Sequence, residues 1–196
     1  MSKIETNQVD PATGTTLTLG TSGDTITIPS GVTIANSGTA TGFGANTPAF
    51  QGYYSSSYQT VSDNTDTKLT IDTEQFDTDG AFDTSTSRFT VPSGQAGKYH
   101  FDMRINGKTD PSRLQYVGLY IYKNGSAVAQ NFIDPRNAGF GLQFSVHSSV
   151  DLTLAVADYI EVYGIVDPEG NASYTAKIHP NGNTYTNIFS GFKIIE

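Results

Sequence analysis

The stretch RFTVPSGQAGKYHF, residues 88–101, leaves this chain few folds to choose from. Each half alternates apolar and polar side chains with period two, as a strand with one buried face requires. Phe89 and Val91 share one face in the first half, while Tyr99, Phe101, Met103 and Ile105 share one face in the second, which continues past residue 101. Pro92 has no N–H to donate and ends the first strand; Gly94 and Gly97 let the backbone turn. Two half-buried strands joined by so tight a turn predict a corner of an antiparallel β-sandwich.

The chain after this corner repeats the pattern. LQYVGLYIY at 114–122 leads into Lys123-Asn124-Gly125-Ser126, where Asn-Gly is a strong hairpin signal, and residues 127–133 return as the partner strand. Alternation recurs at 140–146, at 150–162 and at 185–195. At least seven strand candidates lie between turns with no helical period, which predicts an all-β fold, an antiparallel β-sandwich of the jelly-roll type. Composition agrees, because only 36% of the 196 residues are hydrophobic and 15% are charged, the balance being largely Thr, Ser, Asn and Gly.

Residues 1–47 read differently from 48–196, and the two are expected to be separate units: an N-terminal anchoring or stem segment, and a head that opens with an aromatic strand around Phe50. The first contains three apolar-Thr-apolar triplets, Leu17-Thr18-Leu19, Ile26-Thr27-Ile28 and Val32-Thr33-Ile34, with glycines between them. In each, the aliphatic pair faces one way and the Thr the other. Six aliphatic side chains cannot offset the ordering entropy of so long a segment, so one copy is not expected to hold this shape. A Gly/Ser/Thr linker is one reading. Three copies wound into a short β-fibre shaft is the other, and the regular spacing of the pairs favours it.

Charge and motifs narrow the function. A formal net charge of -8 argues against nucleic acid and anionic membrane surfaces as partners. No apolar run approaches a membrane span, and the opening MSKIETNQVDP lacks a signal-peptide core, so no membrane insertion and no ordinary secretion are expected. With no cysteine there is neither disulfide nor thiolate metal site, and oligomerisation is the expected substitute for covalent staples. His100, His147 and His179 are scattered, and no P-loop, GxSxG, zinc or dinucleotide motif is present. Asn124 and Asn171 head sequons that are frequent by chance, the first better read as a turn. The chain is too short for the long solenoids on which glycan-cleaving carboxylate pairs are normally mounted, so no enzyme and no cofactor are expected. Seven carboxylates between residues 63 and 83 read as a solvated loop face; Asp77, Asp79 and Asp83 are the calcium candidates among them, although Asp77-Thr78-Asp79-Gly80 lacks the rest of an EF-hand loop.

Two resemblances bear on these expectations. TGTTLTLG and GDTITIPSG, within residues 13–31, resemble phrases in the N-terminal parts of bacteriophage fibre and appendage proteins. Residues 49–195 resemble the globular head of complement component 1q and the tumour-necrosis-factor-like jelly rolls. The matching phrases are Ala49-Phe50, Phe82-Asp83, Arg88-Phe89-Thr90-Val91-Pro92, Gly97-Lys98-Tyr99-His100-Phe101, Lys123-Asn124-Gly125, Leu152-Thr153-Leu154 with Asp158-Tyr159-Ile160, and Phe189-Ser190-Gly191-Phe192. Ser87 and Ala157 stand where that family has Gly, and no collagen repeat precedes the head.

The second resemblance implies a homotrimer that packs aromatic faces about its axis, with Phe50, Tyr99, Phe101, Tyr120, Phe189 and Phe192 as core or subunit contact. Together the two imply a virion structural protein, a trimeric short fibre and knob held to other virion proteins by its first segment and exposed on the particle surface. Host attachment through glycan is expected at Tyr- and Asn-rich positions, with Tyr54, Tyr58, Tyr174, Asn183 and Tyr185 the candidate contacts. The alternatives are a head or collar decoration protein that binds nothing, and a secreted trimeric signalling head, which the missing signal peptide disfavours.

Overall fold

The computed structural model describes residues 9–38, 46–55, 57–110, 114–136, 142–170, 175–179 and 186–194. The chain divides into two units, Met1–Phe43 and Gly44–Glu196. The described part of the first contains local turns and no strand: the Asp24 N–H donates to the Thr21 carbonyl at 3.0 Å and the Val32 N–H to the Pro29 carbonyl at 3.2 Å. Leu17, Leu19, Ile26, Ile28, Val32 and Ile34 are all exposed, from 43% at Leu17 to 64% at Ile34. Strands at the three triplets therefore do not form within one chain. A lone strand neither buries its apolar pairs nor pairs its backbone, so nothing offsets the entropy of ordering it.

The second unit is all β. Its strands are β1 (Ala49–Tyr53), β2 (Gln59–Val61), β3 (Thr67–Lys68), β4 (Thr73–Asp77), β5 (Phe82–Asp83), β6 (Arg88–Thr90), β7 (Gly97–Asp110), β8 (Leu114–Lys123), β9 (Ser126–Ile133), β10 (Gln143–Leu154), β11 (Tyr159–Pro168), β12 (Thr175–Ile178) and β13 (Ile188–Lys193). All pairings are antiparallel. The first sheet runs β4-β1-β13-β7-β10, with β12 and then β2 continuing along the same edge of β7 as β13. The second runs β5-β6-β11-β8-β9, with β3 beside β6 on one edge of β11. Asn187 bridges the gap between β13 and β12, its Oδ1 accepting the Asn106 N–H at 2.8 Å where β7 changes partner.

The expected corner is present: β6 lies in the second sheet and β7 in the first, with the Pro92 turn between them. On β7, Tyr99, Phe101, Met103 and Ile105 are fully buried, and Phe89 on β6 faces them. Six rings join the sheets. Phe50 stacks on Phe82 at 4.8 Å and on Phe89 at 5.1 Å and meets Phe189 edge-on at 4.9 Å, while Phe89 contacts Phe101 at 5.3 Å and Tyr99 at 5.5 Å. Such pairs contribute about 0.5–1.5 kcal/mol each beyond burial alone. Phe50, Tyr99, Phe101 and Phe189 are thus interior residues of a single chain. Tyr120 and Phe192 are not core: each has the opposite parity to its buried neighbours, so Tyr120 lies half-buried on the outside of the second sheet and Phe192 is 38% exposed on the outside of the first.

Turn chemistry explains how the strands are joined. Asn124 and Gly125 both have positive φ, +50° and +81°, the geometry of the two-residue hairpin between β8 and β9. Ser87 and Ala157 adopt φ of +50° and +68°, so the chain keeps a glycine-like backbone at both positions without the glycine. Their compensations differ. Ser87 Oγ accepts the Ile71 N–H at 2.8 Å in a buried position, whereas Ala157 is exposed and its side chain contributes no such bond. The Ala157 turn is held by its neighbour Asp158, whose carboxylate accepts from Asn124 Nδ2 at 2.7 Å, the Ala155 N–H at 2.8 Å and Lys123 Nζ at 2.9 Å. The Asn124 and Lys123 hydrogen bonds, with that from Ala155, hold its carboxyl down at about 2.

Two outcomes are expected. Ala157→Gly raises stability by about 0.5–1 kcal/mol, because it relieves the left-handed alanine, while Ser87→Gly gives no such gain because the Ile71 hydrogen bond is lost; thermal melts of the two variants distinguish them. Asp158→Ala lowers stability at neutral pH by about 1–2 kcal/mol. Because its folded carboxyl sits below the unfolded one, the contribution of Asp158 is complete above about pH 4 and disappears as pH falls toward 2, so wild type and variant should converge in acid denaturation.

Candidate functional site

With Val117, Leu119 and Ile121 of β8 fully buried, the alternation of LQYVGLYIY turns Tyr116, Tyr120 and Tyr122 outward. The same parity on β11 turns Tyr159, Glu161 and Tyr163 outward, and β9 adds Phe132, opposite Gly118. The rings meet in sequence. Tyr163 lies 4.2 Å from Tyr122, Tyr122 6.2 Å from Tyr120, Tyr120 5.3 Å from Phe132, and Phe132 6.1 Å from Tyr116. A five-ring belt thus crosses three strands on the outer face of the second sheet.

Its support is local and specific. Gly118 leaves room for Phe132: a Cβ there would lie 2.3 Å from the Phe132 ring and 2.6 Å from Ile165. The Tyr122 hydroxyl donates to Asp66 at 3.1 Å, Tyr116 donates to Asn64 Oδ1, and Tyr163 reaches Glu161 at 3.3 Å. Burial pushes all four belt hydroxyls up, and neighbouring carboxylates push them further, so they stay neutral donors at physiological pH.

At one end of the belt, Glu161 is buried and paired with Lys68 Nζ at 2.6 Å and Arg88 at 2.7 Å. Burial pushes its carboxyl up, but the Lys68 and Arg88 hydrogen bonds outweigh this and leave it below the usual carboxylate range. The pairs fasten β3 and β6 to β11, and the Arg88 guanidinium also covers the Tyr159 ring at 4.0 Å. At the other end are Asp63 and Asp167, with Asp66 along the belt beside Tyr122. Burial pushes the Asp167 carboxyl up, and Asp63 adds to this. Asp63 Oδ1 is buried without a hydrogen-bond partner among the described residues.

The outer face of the first sheet is polar by contrast. His100 Nδ1 meets Asp151 at 2.7 Å, His147 Nε2 meets Asp102, and a recess of 280 Å³ is lined by Gln51, Asp102, Arg104, His147, Ile188 and Ser190. His179 is lowered by burial and by Lys108 and Lys177.

The residues expected at a site fare unequally. Tyr54 is corrected to a buried position, since it continues the parity of Phe50 and Gly52 one residue past β1 and cannot meet a glycan. Tyr58 is 46% exposed with Lys177 Nζ 4.6 Å from its ring. Tyr174, Asn183 and Tyr185 lie outside the described residues. The calcium candidates serve turns instead: Asp77 accepts the Phe82 N–H at 2.7 Å and the Asp79 N–H at 3.2 Å, Asp79 accepts Thr78 Oγ1, and Asp83 accepts from Ser85 and Thr86, whose hydrogen bonds lower its carboxyl. No three acidic or histidine side chains gather around a metal-sized space among the described residues. Tyr116, Tyr122, Phe132 and Tyr163 were not singled out from the sequence as site residues; the parity of tyrosines within LQYVGLYIY and YIEVYG was the signal for the three tyrosines, and Phe132 had none.

No known family matches the sequence, and no curated protein is similar to it. Solved structures do match. The globular domain of zebrafish complement 1qA is 16% identical, covering 75% of this chain and 97% of its own, with a TM-score of 0.49. Eiger TNF from S. frugiperda is 11% identical, covering 74% and 91%, with a TM-score of 0.51. The fold is a jelly roll of the tumour-necrosis-factor kind. Strand order and the second likeness both carry that conclusion, and at these identities the likeness extends to fold alone.

Gly118→Ala is expected to swing Phe132 out of the belt and separate Tyr116 from Tyr120, at a stability cost of about 1–2 kcal/mol. Loss of the ring-current shifts on the Tyr120 protons by NMR, with the buried aromatic signals retained, is the measurement that checks it.

Proposed function

We propose that this chain is the protomer of a homotrimeric binding head, and that the tyrosine belt is the surface by which it attaches to a glycan. The observation that carries the reading is the belt itself. Five contacting rings stand on the outside of a sheet, between a Glu161–Lys68–Arg88 cluster of one net positive charge and a row of carboxylates. Half-buried rings with hydroxyls already oriented offer flat apolar surface at little entropic cost, which suits stacking on sugar rings. Carboxylates at the belt have no ion pair among the described residues, whereas Asp151 and Asp102 on the outer face of the first sheet meet His100 and His147, so the belt suits a polar ligand better than a second subunit.

The trimer rests on the jelly-roll fold, on the absence of disulfides, and on the first unit, whose six exposed aliphatic side chains find partners only when several copies wind together. In this reading subunits meet through the outer face of the first sheet, which carries Phe192, Ile188 and the recess. The fibre-like first segment makes the assembly a bacteriophage virion appendage facing the host. A decoration protein on the same particle is the second reading; it shares the trimer and has no need of an exposed aromatic belt.

Light scattering is expected to give a trimer both for the full chain and for a variant starting at Pro48. Phe192→Asp should dissociate the shorter form. Tyr120→Ala should remain trimeric while losing about tenfold or more in adsorption to host cells, a change of about 1.4 kcal/mol. A trimer that dissociates on Tyr120→Ala would make the belt a subunit contact, and unchanged adsorption would leave the decoration role.

A further inference from the structure

We infer that the glycan taken by the tyrosine belt carries free, protonated amino groups; this rests on the adhesive reading above. Charge around the belt is asymmetric. At the Tyr163 end, Lys68 and Arg88 both pair with Glu161, a group with one net positive charge. At the Tyr116 end, Asp167 stands opposite Tyr116 in the β11–β8 register and Asn64, beside Asp63 in sequence, accepts the Tyr116 hydroxyl, while Asp66 accepts the Tyr122 hydroxyl at 3.1 Å farther along the belt. The described cation nearest this end, Arg136, is engaged by Asp134, whose carboxylate accepts two hydrogen bonds from Nε at 2.8 and 3.0 Å. Asp63, Asp66 and Asp167 thus face the same rings with no ion pair among the described residues, and Asp63 Oδ1 is buried without a donor. Burial and then Asp63 push the Asp167 carboxyl up, outweighing a smaller lowering by Arg136, which remains paired with Asp134.

The chemistry of the ligand follows. A neutral sugar would stack on the rings and donate its hydroxyls to the carboxylates, but would leave their charge uncompensated. An acidic sugar would be repelled by them and by the chain's net charge of -8. An ammonium group on a sugar ring satisfies both features, because it is attracted to the faces of Tyr120, Tyr122 and Phe132 and to the carboxylates at their edge. The ring chain spans several sugars, so the ligand is an oligomer and not a single residue. Such binding weakens as salt screens the carboxylates.

The test is calorimetric titration of the full-length protein with a glucosamine hexamer, at a pH where its amines are protonated, beside its fully N-acetylated counterpart. The glucosamine oligomer should bind at least about tenfold more tightly than the acetylated one, and its affinity should fall with salt. Asp66→Asn should reduce that affinity several-fold and flatten the salt dependence, with a smaller loss for the acetylated oligomer; Phe132→Ala should weaken both. Equal binding of the two oligomers would overturn the amino-group inference and leave the adhesive reading standing. Tetralysine binding as tightly as the glucosamine oligomer would overturn the glycan assignment. Binding that neither Asp66→Asn nor Phe132→Ala changes would overturn its placement on the belt. Failure of both oligomers overturns the inference, and host-cell adsorption by the Tyr120→Ala trimer then judges the adhesive reading separately.

Discussion

The head depends on the stack of rings that joins its two sheets: Phe50 on Phe82 and Phe89, with Phe101 and Phe189 closing around them. These five rings come from strands of both sheets and from sequence positions as far apart as 50 and 189. Strand side chains alternate with period two, so once this set is inside, every residue of opposite parity is outside. Tyr116, Tyr120 and Tyr122 cannot be buried while Val117, Leu119 and Ile121 are. The belt is therefore a direct consequence of the core, and a register slip of one residue would exchange them.

The two outer faces are chemically unlike although built on the same alternation. On the first sheet, side chains hydrogen-bond one another across neighbouring strands, as Asp102 does with His147 and Asp151 with His100. On the second sheet, charge is pushed to the two ends of a row of contacting rings. At one end Glu161 costs desolvation, which Lys68 and Arg88 offset while tying two short edge strands to β11. At the other end stand Asp63 and Asp167, neither in an ion pair among the described residues. The rings between them are held by each other, by Gly118 and by their hydroxyl partners, so a ligand would meet a surface already ordered.

The first unit poses the opposite problem. Its turns are locally encoded by glycines with positive φ, yet its aliphatic pairs find nothing to cover them within one chain. Local preference alone does not stabilise a strand, since the ladder and the buried face both come from neighbours. A homotrimer would supply those neighbours, which links the N-terminal segment and the head to a single requirement for association.

Sequence by itself determined what depends on near neighbours along the chain. The corner at Pro92, the Asn124-Gly125 hairpin, the alternation of β7 and β8 and hence the all-β class were all legible, because turns and parity are properties of a few consecutive residues. Position along a strand also misled where parity was not followed through: Tyr54 was taken for a surface residue, while parity removes Tyr120 and Phe192 from the core and leaves only the contact role of that pair open. Tertiary structure alone decided which residues meet. Glu161 finds Lys68 and Arg88, Phe132 settles over Gly118, and Asp66 reaches Tyr122, because strands far apart in sequence are brought into one register. It also decided that Ser87 and Ala157 take a glycine's backbone, a local cost imposed by the strands on either side. Such juxtapositions follow from the closure of two sheets over one core, which no short stretch of chain encodes.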